Sequence, residues 1–345
     1  MEKHSLHKGI NLGGWLSQYK YYDHQHFEEF IVAEDIQRIT GWGFDHIRLP
    51  IDYPVLESDS QAGKLLESGL DYLFRCLNWC EKAGLRLILD LHKAPGYAFD
   101  AQAANQLEQS TALQNRLIAL WSVISKTLLP VDHDLPAFEL LNEVNFKSSE
   151  VWNKIAQRTV REIHKIDPER LILLGGNHFC SVDRLAELVE MDDPELLYKF
   201  HFYLPLSVTH QQAYWVEGLH EFDQQLEHPG EAIGLKEFLH SRPEYESRLV
   251  EDVDKHFDRV HLLHRLQPAI DFSRKLGQPV HCGEFGVIDR APRQTRINWT
   301  RDMVSLFEEN NIGYAYWTYK EMDFGLVDQR GNILDQELVD ILVGW

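Results

Sequence analysis

Eight short apolar runs, each followed by a longer stretch of helical period, divide this chain from near its start to its end. The runs fall at 8–12, 44–49, 85–91, 137–143, 171–175, 198–203, 278–284 and 313–318. The helix-like stretches lie near 28–40, 64–83, 111–127, 149–166, 182–191, 258–276, 294–310 and 335–342. A strand, a crossover helix and the next strand form the unit from which parallel sheets are built. Eight such units predict a closed (β/α)8 barrel, the TIM barrel of the α/β class. An open doubly wound sheet is the rival, but it calls for a Gly-rich phosphate turn. Gly13-Gly14 follows the first run without a third glycine or a following helix.

With no linker rich in Pro, Gly or Ser, residues 1–345 read as one barrel domain. The rhythm is interrupted at 204–257, 54 residues (257 − 204 + 1) with 11 acidic and 4 basic side chains. This stretch is expected to be a solvated rim insertion between the sixth strand and the next helix. Connections of that length in a compact domain often wall a substrate site.

Composition narrows the function. Hydrophobic residues make up 44%, enough for a full core. A net charge of −20 argues against a polyanionic partner, so no nucleic acid is expected. No apolar run approaches the roughly 18 residues of a membrane span. Met1-Glu2-Lys3-His4-Ser5 precedes the first run without a basic leader and apolar core, so a cytoplasmic location is expected. Cys76, Cys80, Cys180 and Cys282 have neither zinc-like nor redox spacing and read as small buried hydrophobes. No cofactor or metal is expected.

Barrel enzymes assemble their sites where strands end at the carboxyl face. Polar and aromatic residues at those ends are Arg48, His92, Asn142, Glu143, His201, Tyr203, Glu284 and Trp317. Each alone has an ordinary explanation: an interior ion pair for Arg48, satisfied core histidines for His92 and His201, a helix cap for Asn142, mouth-filling rings for Tyr203 and Trp317. Their coincidence on successive strand ends points to a site. Glu143 and Glu284 are 141 residues apart (284 − 143), so they belong to different strands, as in sugar hydrolysis by a carboxylate pair. One such carboxylate must stay ionised, which an Arg and a Tyr hydroxyl enforce. The other must keep its proton through burial beside a negative partner. An indole offers a flat surface to a pyranose, and an Asn can bond a sugar hydroxyl.

Asn142-Glu143 and Gly283-Glu284-Phe285-Gly286 resemble the two active-site signatures of glycoside hydrolase family 5, the cellulase and mannanase family of retaining (β/α)8 barrels. Arg48 in Ile-Arg-Leu-Pro, His92 in Asp-Leu-His, His201 and Tyr203 in His-Phe-Tyr, and Trp317 in Tyr-Trp-Thr fit the same pattern. So does the opening Gly9-Ile10-Asn11-Leu12-Gly13-Gly14-Trp15. The resemblance implies a cofactor-free retaining β-glycosidase. Glu143 would be the acid/base and Glu284 the nucleophile. Arg48 and Tyr203 would hold Glu284, and His201 would tune Glu143. Asn142 and His92 would bind sugar hydroxyls above Trp317. Val144 stands where the family most often has Pro, so the loop after Glu143 is expected to take its own path.

Further expectations follow. If the strand alternates to its end, Glu139, Leu141 and Glu143 share the interior face, with Glu139 a buried structural carboxylate paired to a base. Trp15, Tyr97, Phe146, Trp152, Tyr214, Trp215 and Tyr319 are candidates for further sugar subsites, Trp215 first among them. Lys320 and Asp323 are candidate hydroxyl partners. A metal-dependent barrel hydrolase would begin from His24-Gln25-His26, but that pair lies in a polar stretch beyond a strand end. A non-catalytic sugar-binding barrel would have no need of both glutamates. The expected substrate is a β-linked oligosaccharide or polysaccharide, β-1,4-glucan first, with β-mannosides and β-1,3-glucans as alternatives.

Overall fold

A computed structural model describes residues 6–101 and 105–344. Its eight barrel strands are β1 (Lys8–Asn11), β2 (His46–Asp52), β3 (Arg86–Lys93), β4 (Pro136–Glu139), β5 (Ile172–Gly175), β6 (Leu196–Phe202), β7 (His281–Phe285) and β8 (Gly313–Tyr316). All neighbours are parallel, and pairing of β8 with β1 closes the ring in sequence order. The (β/α)8 expectation is met.

Helices Glu67–Ala83, Thr111–Leu128, Ser149–Ile166, Arg259–Leu276 and Arg293–Glu309 cover the sheet. Their limits follow ordinary end chemistry: Ser110 accepts from Leu113 N–H at 3.3 Å and Asp258 from His261 N–H at 2.8 Å. Gly84 and Gly277 end two of them with φ of 69° and 67°. Indoles buried beneath these helices fasten the strand ends. Trp121 Nε1 donates to Leu140 O at 2.9 Å and Trp152 Nε1 to Gly175 O at 2.8 Å. Among the described residues, no helix is long and apolar enough to cross a membrane. All four cysteines are free and buried.

Three local expectations need correction. The helix expected over 182–191 is a 3-10 turn, Val182–Glu187. Tyr198 Oη donates to Val189 O at 2.8 Å and accepts from Met191 N–H at 3.0 Å, so a side chain takes the backbone partners a longer helix would have used. Second, β4 stops at Glu139, and Glu143 reaches the site through a left-handed bend, φ 40°, instead of by strand alternation. Third, the insertion 204–257 has an apolar spine. Val208, Leu219, Phe222, Leu226, Leu235 and Phe257 are buried and join the same cluster as the barrel core. A short antiparallel pair, Gly230–Glu231 with His256–Phe257, ties its middle to its C-terminal end.

The turn after β5 is also unusual. His178, Phe179 and Cys180 all have left-handed φ, 51°, 59° and 55°. Each such non-glycine residue costs roughly 1–2 kcal/mol, so packing around it must hold it there.

Candidate active site

The site is built outward from a guanidinium inside the barrel. Arg48, near the middle of β2, has no exposed surface. Its Nε and Nη2 bind both oxygens of Glu139 at 2.7 Å, as the fork geometry allows. Nη1 donates to Asn11 Oδ1 at 2.9 Å and to Glu284 Oε1 at 2.6 Å, and Nη2 also donates to Asn142 Oδ1 at 2.9 Å. Tyr203 Oη donates to the other oxygen of Glu284, Oε2, at 3.0 Å. One donor from β2 and one just past β6 therefore grip Glu284, one on each oxygen.

Glu143 is held differently. Its Oε1 lies 2.9 Å from His201 Nδ1, and that same nitrogen is 3.6 Å from Glu284 Oε2. His201 Nε2 faces Lys199 Nζ at 3.0 Å. An ammonium is donor-only, so Nε2 accepts and the ring proton sits on Nδ1, where it is donated to Glu143. Burial, with Lys199 and Arg48 close by, holds His201 well below its ordinary range, which keeps the ring neutral. Burial, and then the facing Glu284, push Glu143 well above the usual carboxyl range against the pull of Lys199 and Arg48. Charge counting agrees: Asp90, Glu139 and Glu284 already face the two interior cations before Glu143 is added.

The floor of the cleft follows the same logic. Arg48 fixes the Asn142 amide by binding Oδ1, so Nδ2 is left to project as a donor, 3.5 Å from His92 Nε2. His92 Nδ1 is 2.6 Å from Asp90 Oδ2, and burial together with Arg48 brings the ring down to about 3. Nε2 is then left as an acceptor. Trp317 lies parallel to His92, centroids 5.9 Å apart and planes 5° apart. Gly13 makes room for it, since a Cβ there would sit 2.7 Å from the indole. Gly13 thus serves ring clearance, while Gly14 takes a left-handed φ of 79°.

Other expected residues are not all brought here. Glu139 is structural as expected, between Arg48 and Lys199. Lys320 is spent on the fold: it is 5% exposed, with Nζ bonded to Phe30 O at 2.7 Å and Asp35 Oδ2 at 3.1 Å. Asp323 accepts from Arg290 at 3.1 Å and sits at the rim. Trp15, Tyr97, Phe146, Trp152 and Tyr319 are packed into the core at 0–3% exposure. Trp215 and Tyr214 remain, 44% and 72% exposed, packed edge to face. Trp215 also meets His210, whose ring touches Tyr203. His24 Nδ1 is taken by Tyr72 Oη at 2.8 Å and His26 Nε2 by Gly14 O at 2.7 Å, so the H-x-H pair is divided between two separate partners.

Asn11, Asp90 and Lys199 were missed as supporting residues. Their signal was present: Asp90 and Lys199 lie two positions before His92 and His201, on the same strand face.

A closed (β/α)8 barrel with facing carboxyls beyond β4 and on β7 defines a barrel glycoside hydrolase. The sequence profile of Cellulase (glycosyl hydrolase family 5) matches residues 8–323. Endoglucanase C of Acetivibrio thermocellus is 42% identical over 338 residues, 98% of each chain. Cellodextrinase A of Ruminococcus flavefaciens is 33% identical over 90% of this chain and 85% of its own. Among solved structures, Cel5A of Thermotoga maritima in complex with cellobiose has a TM-score of 0.78 at 24% identity, covering 98% of this chain and 97% of its own, a likeness of fold. The chain belongs to glycosyl hydrolase family 5.

Proposed function

We propose that this enzyme hydrolyses β-1,4-linked glucan chains or their oligosaccharides with retention of anomeric configuration. Glu284 attacks the anomeric carbon while Glu143 delivers its proton to the departing glycosidic oxygen, giving a covalent glycosyl-enzyme. Water, deprotonated by Glu143, then displaces Glu284. The observation that carries this reading is spacing with asymmetry. One oxygen of Glu143, one of Glu284 and a His201 nitrogen all lie within 4.8 Å of one another. Retaining pairs stand about 5–5.5 Å apart, whereas inverting pairs need about 6.5–9.5 Å to admit a water. An asymmetry supports the roles: Glu284 is gripped by Arg48 and Tyr203, while Glu143 is largely buried against a negative neighbour.

His92 and Asn142 present one acceptor and one donor to hydroxyls of the sugar at the cleavage point, and Trp317 lies beneath its ring. Trp215 and Asp323 stand further out on the rim as contacts for the chain. The glucan assignment draws on relatives known as endoglucanases and a cellodextrinase. The test is the first anomer released from cellopentaose, followed by proton NMR. β-Product is expected. Initial α-product overturns the mechanism, and activity confined to mannan or β-1,3-glucan oligosaccharides overturns the substrate.

A further inference from the structure

Glu143 and the run His178–Cys180 share a left-handed backbone, and Phe179 meets the residue after Glu143. From this we infer that the turn 177–181 is a positioning device for the proton donor, with Asn177 and Cys180 as its working side chains; this rests on the role given to Glu143 above.

The contacts account for the segment after β4 almost residue by residue. Cys180 Sγ lies beside the Glu143 backbone N–H. Phe179 N–H donates to Val144 O at 3.0 Å. Asn177 clasps Phe146 from both sides, Oδ1 accepting from its N–H at 2.7 Å and Nδ2 donating to its O at 3.0 Å. Tyr97 supplies the remaining brace, its Oη donating to Glu143 O at 2.8 Å and accepting from Asn145 N–H at 2.7 Å. On the other side of the turn, Ser181 pairs with His201. The same short segment therefore holds both members of the Glu143–His201 hydrogen bond.

Gly175 completes the arrangement, because a Cβ there would lie 2.6 Å from Cys180 Sγ. Asn177 and Cys180, which make the contacts, are buried at 2% and 0%, whereas Phe179 is 41% exposed. Strained backbone of this kind persists where its surroundings over-determine it, and it concentrates where geometry is functional. What the strain secures here is the height and direction of one carboxyl group above the cleft.

A purely structural brace would affect all substrates alike. A brace for the proton donor affects only bonds whose leaving group needs a proton. The experiment compares kcat/KM of Asn177→Ala and Cys180→Ala on cellotetraose and on 2,4-dinitrophenyl β-cellobioside, whose phenolate leaves unaided. Cellotetraose cleavage is expected to fall roughly ten- to hundredfold, the scale of a small misplacement of a reacting group. The dinitrophenyl substrate should stay within about threefold, which also shows that the variants are folded. The alkaline limb of the cellotetraose profile should move to lower pH as Glu143 loses its burial beside Glu284. Cys180→Ser, which keeps an acceptor at that position, should recover most of the loss. Equal losses on both substrates, or an unmoved alkaline limb, overturn the inference. Glu143→Ala is run in parallel: if it fails to separate the two substrates, the acid assignment is at fault instead.

Discussion

Arg48 and Glu284 meet at 2.6 Å inside the barrel, the guanidinium side chain fully buried and the carboxylate side chain 7% exposed. The same guanidinium holds Glu139, Asn11 and Asn142. It is therefore both the structural centre of the barrel interior and the support of the carboxylate proposed to attack.

Arg48→Ala is expected to destabilise the protein by about 3–5 kcal/mol, because several buried acceptors lose their partner together. Arg48→Lys should fold better yet remain severely impaired, since one ammonium cannot reproduce a planar fork bonded to four side chains. Denaturant unfolding alongside kcat measurement tests this. A Lys variant with parent-like kcat would refute the account.

Tyr203→Phe removes one donor from Glu284 and leaves the ring packing against His210 and Phe324 in place. A hydrogen bond to a charged group contributes about 1.5–3 kcal/mol, so kcat/KM should fall roughly ten- to hundredfold with little change in stability. An unchanged rate would mean that Arg48 alone suffices.

Asp52 offers a pH prediction away from the chemistry. It sits buried at the end of β2, with Lys93 Nζ 3.8 Å away and one oxygen lacking a partner. Burial, offset in part by Lys93, raises it to about 7. A carboxyl raised on folding binds its proton more tightly in the folded state, so its contribution to stability falls as pH climbs. The loss runs from about 4, the unfolded value, to about 7. Asp52→Asn should therefore gain relative stability across that window, on the order of a few kcal/mol by pH 8. The difference between the two stability–pH curves isolates Asp52 from the histidines that titrate nearby. A flat difference curve would show that Asp52 is ionised in the fold.

Trp215→Ala tests the rim. Loss of its exposed face should raise KM for cellopentaose several-fold, the scale of one lost aromatic contact of roughly 0.5–1.5 kcal/mol, and leave a short aryl glycoside unaffected. Identical kinetics on both would leave Trp215 without a role in substrate binding.

Much of this protein was written in local pattern. The alternation of short apolar runs with helical stretches encodes which side of each segment is buried, and that is enough to define a barrel. Since a barrel presents its strand ends on one face, the positions of His92, His201, Tyr203 and Glu284 were readable too, whereas Arg48 lies inside β2 and not at its end. Glu139 was legible as a buried paired acid, though its second base, Lys199, was not.

Pairing and access were decided only in three dimensions. Arg48 and Glu284 touch across 236 residues of sequence, and nothing in the neighbourhood of either encodes the other. Glu143 leaves strand geometry for a left-handed bend because a turn from the next strand holds it there, which alternation cannot reveal. Lys320 and the buried tryptophans had the right residue types for sugar binding but were consumed by the core. Periodicity reports the face on which a side chain lies, whereas function depends on what remains unpaired once every distant neighbour has arrived.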